Sequence, residues 1–305
     1  MDSPAPPIVL AGARGDLGLR ILRALVARGA TVRALVGPDV GEQDIARIAA
    51  AGATPVRADP HLVAAMRSAC AGATCVVSAL NGLRDAIVDR QGVLLDAAVS
   101  VGVPRFIPSD YSADFTRTRP GDNRNFDLRR EFRARIDTAP IRATSVLNGA
   151  FMDMLGAEMP IVQPRIRRVL YWSDEDQPLN FTTKLDVAAY TAAAALDDTT
   201  PRFLRVAGDT VSARQLADVM TDITGERYRT LRAGSLGALG AMIRVAKLIA
   251  PQPRATFPAW QGMQYLRDMF SGRAALESLD NARYADLGWT SVREVLAARF
   301  SIPAC

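Results

Sequence analysis

Along the first half of the chain, short apolar runs alternate with longer stretches whose apolar positions recur at helical spacing. Ile8-Val9-Leu10 reads as a strand, followed by a glycine-rich loop and a helix over about 16–28, with Leu17, Ile21, Leu22, Leu25 and Val26 on one face and Gly29 as its stop. Further strands are predicted at 31–36, 54–57, 75–78, 105–107 and 143–147. Helices fit at about 42–51, 62–70, 87–101 and 126–136. Strands alternating with helices imply right-handed crossovers and an α/β fold, a Rossmann-type doubly wound parallel sheet. Ligands of such sheets sit outside the carboxyl ends of the strands, so chemistry is sought in the segments that follow each strand.

After about Asn148 the pattern changes. Extended runs at 166–172, 180–181 and 203–206 are mixed with helices predicted at 185–196, 212–224, 235–249, 257–270 and 292–300. This divides the chain into a dinucleotide-type domain over 1–150 and a smaller C-terminal α+β lobe over 151–305, interleaved with the first and covering the substrate. The Phe257, Trp260, Met263, Leu266 and Phe270 stripe has helical spacing and reads first as core.

Composition excludes several chemistries. Three cysteines (Cys70, Cys75, Cys305) and one histidine (His61) give neither a zinc spacing nor a disulfide framework, and no Ser/Asp pattern surrounds His61 to suggest a hydrolase triad. No metal site is expected. Net charge is +5, but the basic residues are scattered; Arg129-Arg130 with Arg133 and Arg135 reads as a helix face, so nucleic acid is not an expected partner. Only Lys184 and Lys247 among the 37 basic residues are lysine, so a single arginine carries little functional information. No apolar run is long enough to span a bilayer and the first residues lack a leader pattern, which leads to the expectation of a cytoplasmic protein without a membrane partner.

The loop Gly12-Ala13-Arg14-Gly15-Asp16-Leu17-Gly18 lies between the first strand and its helix. Gly12 permits a tight turn, Gly15 lets the backbone approach a pyrophosphate, and Gly18 lets the helix pack on the sheet. The helix N-terminus offers free N–H groups to phosphate. The second strand ends at Gly37-Pro38 with no carboxylate at its tip for a ribose 2′-hydroxyl, and Asp39 stands two residues beyond Gly37. Arg14 could reach a 2′-phosphate, and Arg33 could help if it faces the site. The balance favours NADP(H) over NAD(H).

Gly12–Gly18, Val32-Arg33-Ala34-Leu35-Val36, Val77-Ser78-Ala79-Leu80 and Gly102-Val103-Pro104-Arg105-Phe106-Ile107-Pro108-Ser109-Asp110-Tyr111 together resemble the NmrA-like and isoflavone-reductase-like proteins, atypical relatives of the short-chain dehydrogenase/reductases. The resemblance runs from the first strand to about residue 151 and more weakly onward. It implies NAD(P)(H) binding and a small lobe closing over the nicotinamide. In its reductase branch, small and often aromatic molecules are reduced with NADPH; in its regulator branch, the dinucleotide is a signal without catalysis.

Carried over by position, the resemblance implies Gly12, Gly15 and Gly18 as the phosphate loop and Asp59 near the adenine. It places Ala79, Leu80 and Asn81 behind the ribose, and Ser109, Asp110 and Tyr111 near the nicotinamide. Two departures stand out. The arginine often found just after the second strand is Gly37 here, and the reductases' catalytic lysine falls at Arg129, a guanidinium that stays protonated and so cannot exchange a proton. The Tyr-x-x-x-Lys pair of the main short-chain enzymes is also missing, since Phe115 stands four residues after Tyr111. Tyr111 is the remaining candidate proton donor, Arg129 a candidate for polarising a carbonyl or holding an anion, and Asp110, Asn148 and Phe151 candidate substrate contacts. Two readings follow: a reductase acting on a carbonyl or conjugated alkene of a small apolar molecule, and a non-catalytic dinucleotide sensor acting through a protein partner.

Overall fold

The computed structural model describes residues 6–300, so Cys305 lies outside the described residues. In chain order the elements are β1 (Ile8–Ala11), α1 (Asp16–Ala27), β2 (Val32–Val36), α2 (Glu42–Ala50), β3 (Thr54–Arg57), α3 (Val63–Cys70), β4 (Cys75–Ser78), α4 (Gln91–Ser100), β5 (Arg105–Ile107), α5 (Arg124–Ile136) and β6 (Arg142–Ala143). A π-helical stretch, Asp85–Arg90, leads into α4. There follow β7 (Ser145–Leu147), β8 (Ala150–Phe151), β9 (Val162–Gln163), β10 (Arg168–Trp172), β11 (Leu179–Thr182), α6 (Lys184–Leu196), β12 (Phe203–Arg205), β13 (Asp209–Val211), α7 (Ala213–Thr224), β14 (Arg229–Gly234), α8 (Leu236–Ile249), α9 (Ala259–Phe270) and α10 (Val292–Phe300).

The main sheet has six parallel strands in the order β3-β2-β1-β4-β5-β6. Its central strands β1 and β4 are buried throughout because helices cover both faces, while the edge strands β3 and β6 are partly exposed. Alternation decides which residue goes where: Ile8, Leu10, Val32, Ala34, Cys75 and Val77 pack toward α1 and α6, whereas Val9, Ala11, Leu35 and Val76 pack toward α3, α4 and α5. Strand order reverses between β1 and β4, which opens the crevice where dinucleotides bind in this architecture.

The predicted sixth strand is split. Arg142–Ala143 pairs with β5, and after Thr144 the chain leaves the sheet, so that Ser145–Leu147 pairs with β12 instead. This carries Asn148 away from the main sheet's edge. The first core accordingly draws on both halves of the sequence, with Val187, Tyr190 and Leu204 packed among the β1–β4 side chains.

A second core gathers Leu155, Val169, Trp172, Phe181, Met220, Ile243 and Phe270 between α7, α8, α9 and two three-stranded sheets, β14-β10-β9 and β13-β11-β8. Within the aromatic stripe, Trp260, Leu266 and Phe270 are buried, whereas Phe257 lies outside α9 and is exposed. Among the described residues no helix is long and apolar enough to cross a membrane.

Candidate functional site

The glycine loop has the shape its sequence requires. Gly12 sits at φ +88°, and a Cβ there would lie 2.5 Å from the Ala79 carbonyl oxygen. A Cβ on Gly18 would lie 2.1 Å from the Gly12 oxygen, so only glycine lets α1 pass this close to the loop. Gly15 is open on its outer side and donates its N–H to the Gly12 carbonyl at 3.0 Å. The first backbone bond of the helix is Leu19 to Gly15. The amides of Asp16, Leu17 and Gly18 therefore have no helical partner, and they face outward at the positive end of α1. Ala13 is buried beneath the turn. This cradle fits a dinucleotide pyrophosphate.

Cations gather at the outer edge of the cradle. Arg14 Nε donates to Asp44 Oδ2 at 2.7 Å, and Arg47 donates both to Asp44 Oδ1 at 2.9 Å and to the Arg14 carbonyl at 3.0 Å. The two guanidinium groups are half-exposed and share one carboxylate, leaving a spare positive charge beside the loop. Arg57, at the end of β3, holds the segment after β2 by donating to the Pro38 and Val40 carbonyls at 2.7 and 2.8 Å. The segment just after Gly37 is thus held by an arginine that the sequence places at the end of the neighbouring strand. Arg47 escapes a reading of strand ends because it lies inside α2; its signal is the i,i+3 spacing from Asp44.

Arg33 is not part of this group. It is the second residue of β2, level with Val9, and its guanidinium donates to the Ala69 and Ala71 carbonyls at the end of α3, at the opposite edge of the sheet. Asp59 accepts the His61 N–H at 2.9 Å, a local turn bond that also accounts for His61.

The ends of β4 and β5 are tied together. Ala79 donates to Ala11 and continues the ladder, the Ser109 hydroxyl donates to the Leu80 carbonyl at 2.6 Å, and the Ser109 N–H donates to Gln91 Oε1. Asn81 is exposed beside them. Asp110 turns inward: Oδ2 accepts the Ser145 hydroxyl at 2.6 Å, and Ser145 Oγ accepts from Arg202 at 2.7 Å. Burial pushes the Asp110 carboxyl up, against the pull of Ser145 and the nearby Arg129, Arg202 and Arg133. Its Oδ1 has no partner, nor does Arg129 Nε, although Arg129 Nη1 donates to the Asn125 carbonyl.

Tyr111 does not reach this crevice. It is buried in the first core with Cys75, Val146 and Val187, its hydroxyl facing Thr191 of α6 without a well-formed hydrogen bond. Burial raises the phenol above its ordinary value, opposite to what a proton donor at neutral pH requires. The expectation of Tyr111 as a proton donor is corrected: the backbone turns after Ser109, and its side chain goes under the sheet.

Asn148 is fully buried just after β7, and neither its side-chain oxygen nor its nitrogen has a partner. Its main chain is fixed, with the N–H donated to Ser112 and the carbonyl accepting the Thr182 hydroxyl. Phe151 follows, half-buried, with the Lys184 ammonium 6.0 Å from its ring centre.

The matching family model is the NmrA-like family, over residues 5–239. Pinoresinol reductase 1 of Arabidopsis thaliana is 29% identical over 230 residues, 71% of this chain and 71% of that protein. An isoflavone reductase homolog of Zea mays is 28% identical over 245 residues, 75% of this chain and 78% of the other. Among solved structures, an isoflavone reductase superposes with a TM-score of 0.80 at 18% identity, covering 96% of this chain and 99% of that one. The leucoanthocyanidin reductase–NADPH complex of Vitis vinifera does so with a TM-score of 0.79 at 16% identity, covering 96% and 99%. With its model match spanning most of the sequence, its phosphate cradle formed and its strand order reversing where that cradle lies, the chain belongs to the NmrA-like family.

Proposed function

We propose that this protein is an NADPH-dependent reductase of a small, apolar, aromatic molecule, acting on a carbonyl or conjugated alkene. The reductase relatives support the reaction class, and two of the neighbouring structures hold NADPH, with a leucoanthocyanidin reductase and a quinone oxidoreductase. The observation that carries the reading is the Arg14–Asp44–Arg47 group on the rim of the glycine cradle, a net cationic cluster whose guanidinium groups suit a ribose 2′-phosphate beside the pyrophosphate loop. When bound, NADPH supplies the hydride. The amides of Asp16, Leu17 and Gly18 hold the pyrophosphate, and Ala79, Leu80 and Ser109 back the ribose. The Asn148 amide, with a free donor and a free acceptor, pairs with a carboxamide or a substrate carbonyl. Arg129 stabilises negative charge that develops on substrate oxygen, and does so without exchanging a proton. Phe151 supplies an apolar wall.

A second reading, a non-catalytic NADP(H) sensor acting through a protein partner, is favoured by two observations: Tyr111 is buried in the first core, and a guanidinium, Arg129, stands at the family's lysine position. NADPH oxidation, followed by loss of its near-ultraviolet absorbance against quinones, enones and aromatic ketones, decides between them. Turnover with at least one class is expected. Tight NADPH binding with no turnover across the panel overturns the reductase reading and leaves the sensor.

A further inference from the structure

Asp16 places a carboxylate on the first residue of α1, beside the three free amides that are to receive a pyrophosphate. A negative charge there suits the helix dipole but opposes an arriving anion. Two cations hold it. Lys184 Nζ lies 2.9 Å from Asp16 Oδ2, and Arg20 Nε lies 2.8 Å from Oδ1. Arg20 is one turn along the same helix, whereas Lys184 comes from the first turn of α6, 168 residues away in sequence. The start of α6 is itself fixed: the Lys184 N–H donates to Asp153 Oδ2 at 2.8 Å, and the Thr183 hydroxyl caps the helix by accepting from Asp186. The same ammonium stands over Phe151. In a chain that uses arginine almost everywhere, this position carries one of only two lysines. The side chain that joins the phosphate loop to the apolar wall is therefore a compact, mobile ammonium.

The geometry points to Lys184 as a cofactor-positioning residue. It neutralises Asp16 and, with Arg20, turns the mouth of α1 from repulsive to attractive for the dinucleotide pyrophosphate, while tying that loop to Phe151 on the substrate side. This rests on the NADPH reading above and names a residue for it that lies outside the glycine motif. It also explains how an acidic residue is tolerated at a phosphate-binding helix start: its charge is balanced by a cation from the other half of the chain.

The test is a double-variant cycle read by NADPH affinity, using fluorescence or calorimetric titration of the full-length protein, with melting temperature recorded for each variant. Lys184→Met is expected to raise the NADPH Kd about tenfold or more, with a smaller effect at high salt. Adding Asp16→Asn to Lys184→Met removes the carboxylate that Arg20 alone then holds, and is expected to restore affinity to within about threefold of the parent, and Lys184→Arg to retain most of it. If Lys184→Met binds as the parent does, or if the double variant stays as weak as Lys184→Met, charge compensation is overturned. Failure of the parent protein to bind NADPH is a different result: it removes the NADPH reading, and this inference with it. Absence of turnover alone leaves the inference standing.

Discussion

Replacing Arg47 by alanine tests the cofactor assignment most directly. Arg14 and Arg47 share Asp44, so the three groups carry one net positive charge; without Arg47 they carry none, and Asp44 keeps only Arg14. A hydrogen bond to a charged group contributes about 1.5–3 kcal/mol. Arg47 must give up part of its contact with Asp44 to make it, and an exposed pair of that kind is worth about 0–1 kcal/mol. The net loss for NADPH is then about 1–2 kcal/mol, or roughly 5–30-fold in Kd. NADH lacks the 2′-phosphate and loses none of this. The assay is parallel titration of NADPH and NADH into the parent and Arg47→Ala. The expected result is a fall in NADPH preference of that size, with NADH affinity constant within about twofold. Equal weakening of both cofactors would refute the reasoning, because it would mean that Arg47 acts by holding the Arg14 carbonyl and the shape of the loop. No change in either would remove Arg47 from the site.

Two further outcomes follow from burial. Tyr111→Phe removes a buried hydroxyl that has no partner, so kcat is expected to be unchanged and the melting temperature equal or slightly higher; a drop in kcat of about a hundredfold or more, the loss typical of deleting a proton donor, would return Tyr111 to the mechanism. Asp268 is raised by burial to about 6, against the pull of Asn123 and Arg267, so the folded state holds its proton while the unfolded state releases it. Stability is therefore lost as pH rises from about 4 to above 6, on the order of 3 kcal/mol, and Asp268→Asn is expected to flatten that slope in chemical-denaturation curves; an unchanged slope would show that Asp268 titrates normally.

Much of the fold is legible in the sequence because its elements follow local rules. The β1–α1 unit, the alternation of later strands and helices, and α7 ending at Gly225 are set by period, cap and stop residues. What escapes is non-local. β14, Arg-Thr-Leu-Arg-Ala-Gly, is largely exposed and polar, and is a strand only because β10 offers it a parallel ladder. The break at Thr144 has no turn residue to announce it; it arises because β12, nearly sixty residues later, competes for Ser145–Leu147.

The site divides along the same line. The cradle is readable because each glycine answers a steric demand that a few neighbouring residues impose. Arg47 and Lys184 are not, since each acquires meaning only from a partner across a crossover, Arg14 in one case and Asp16 in the other. Tyr111 shows the opposite error. Its position after β5 suggests the crevice, yet the turn after Ser109 sends Asp110 toward Ser145 and Tyr111 under the sheet, and neither direction depends on the chemistry of the side chain. With that phenol turned away and Arg129 permanently charged, the titratable candidates that remain are the Asp110 carboxyl, raised by burial, and the Lys184 ammonium over Phe151, and neither is announced by its place after a strand.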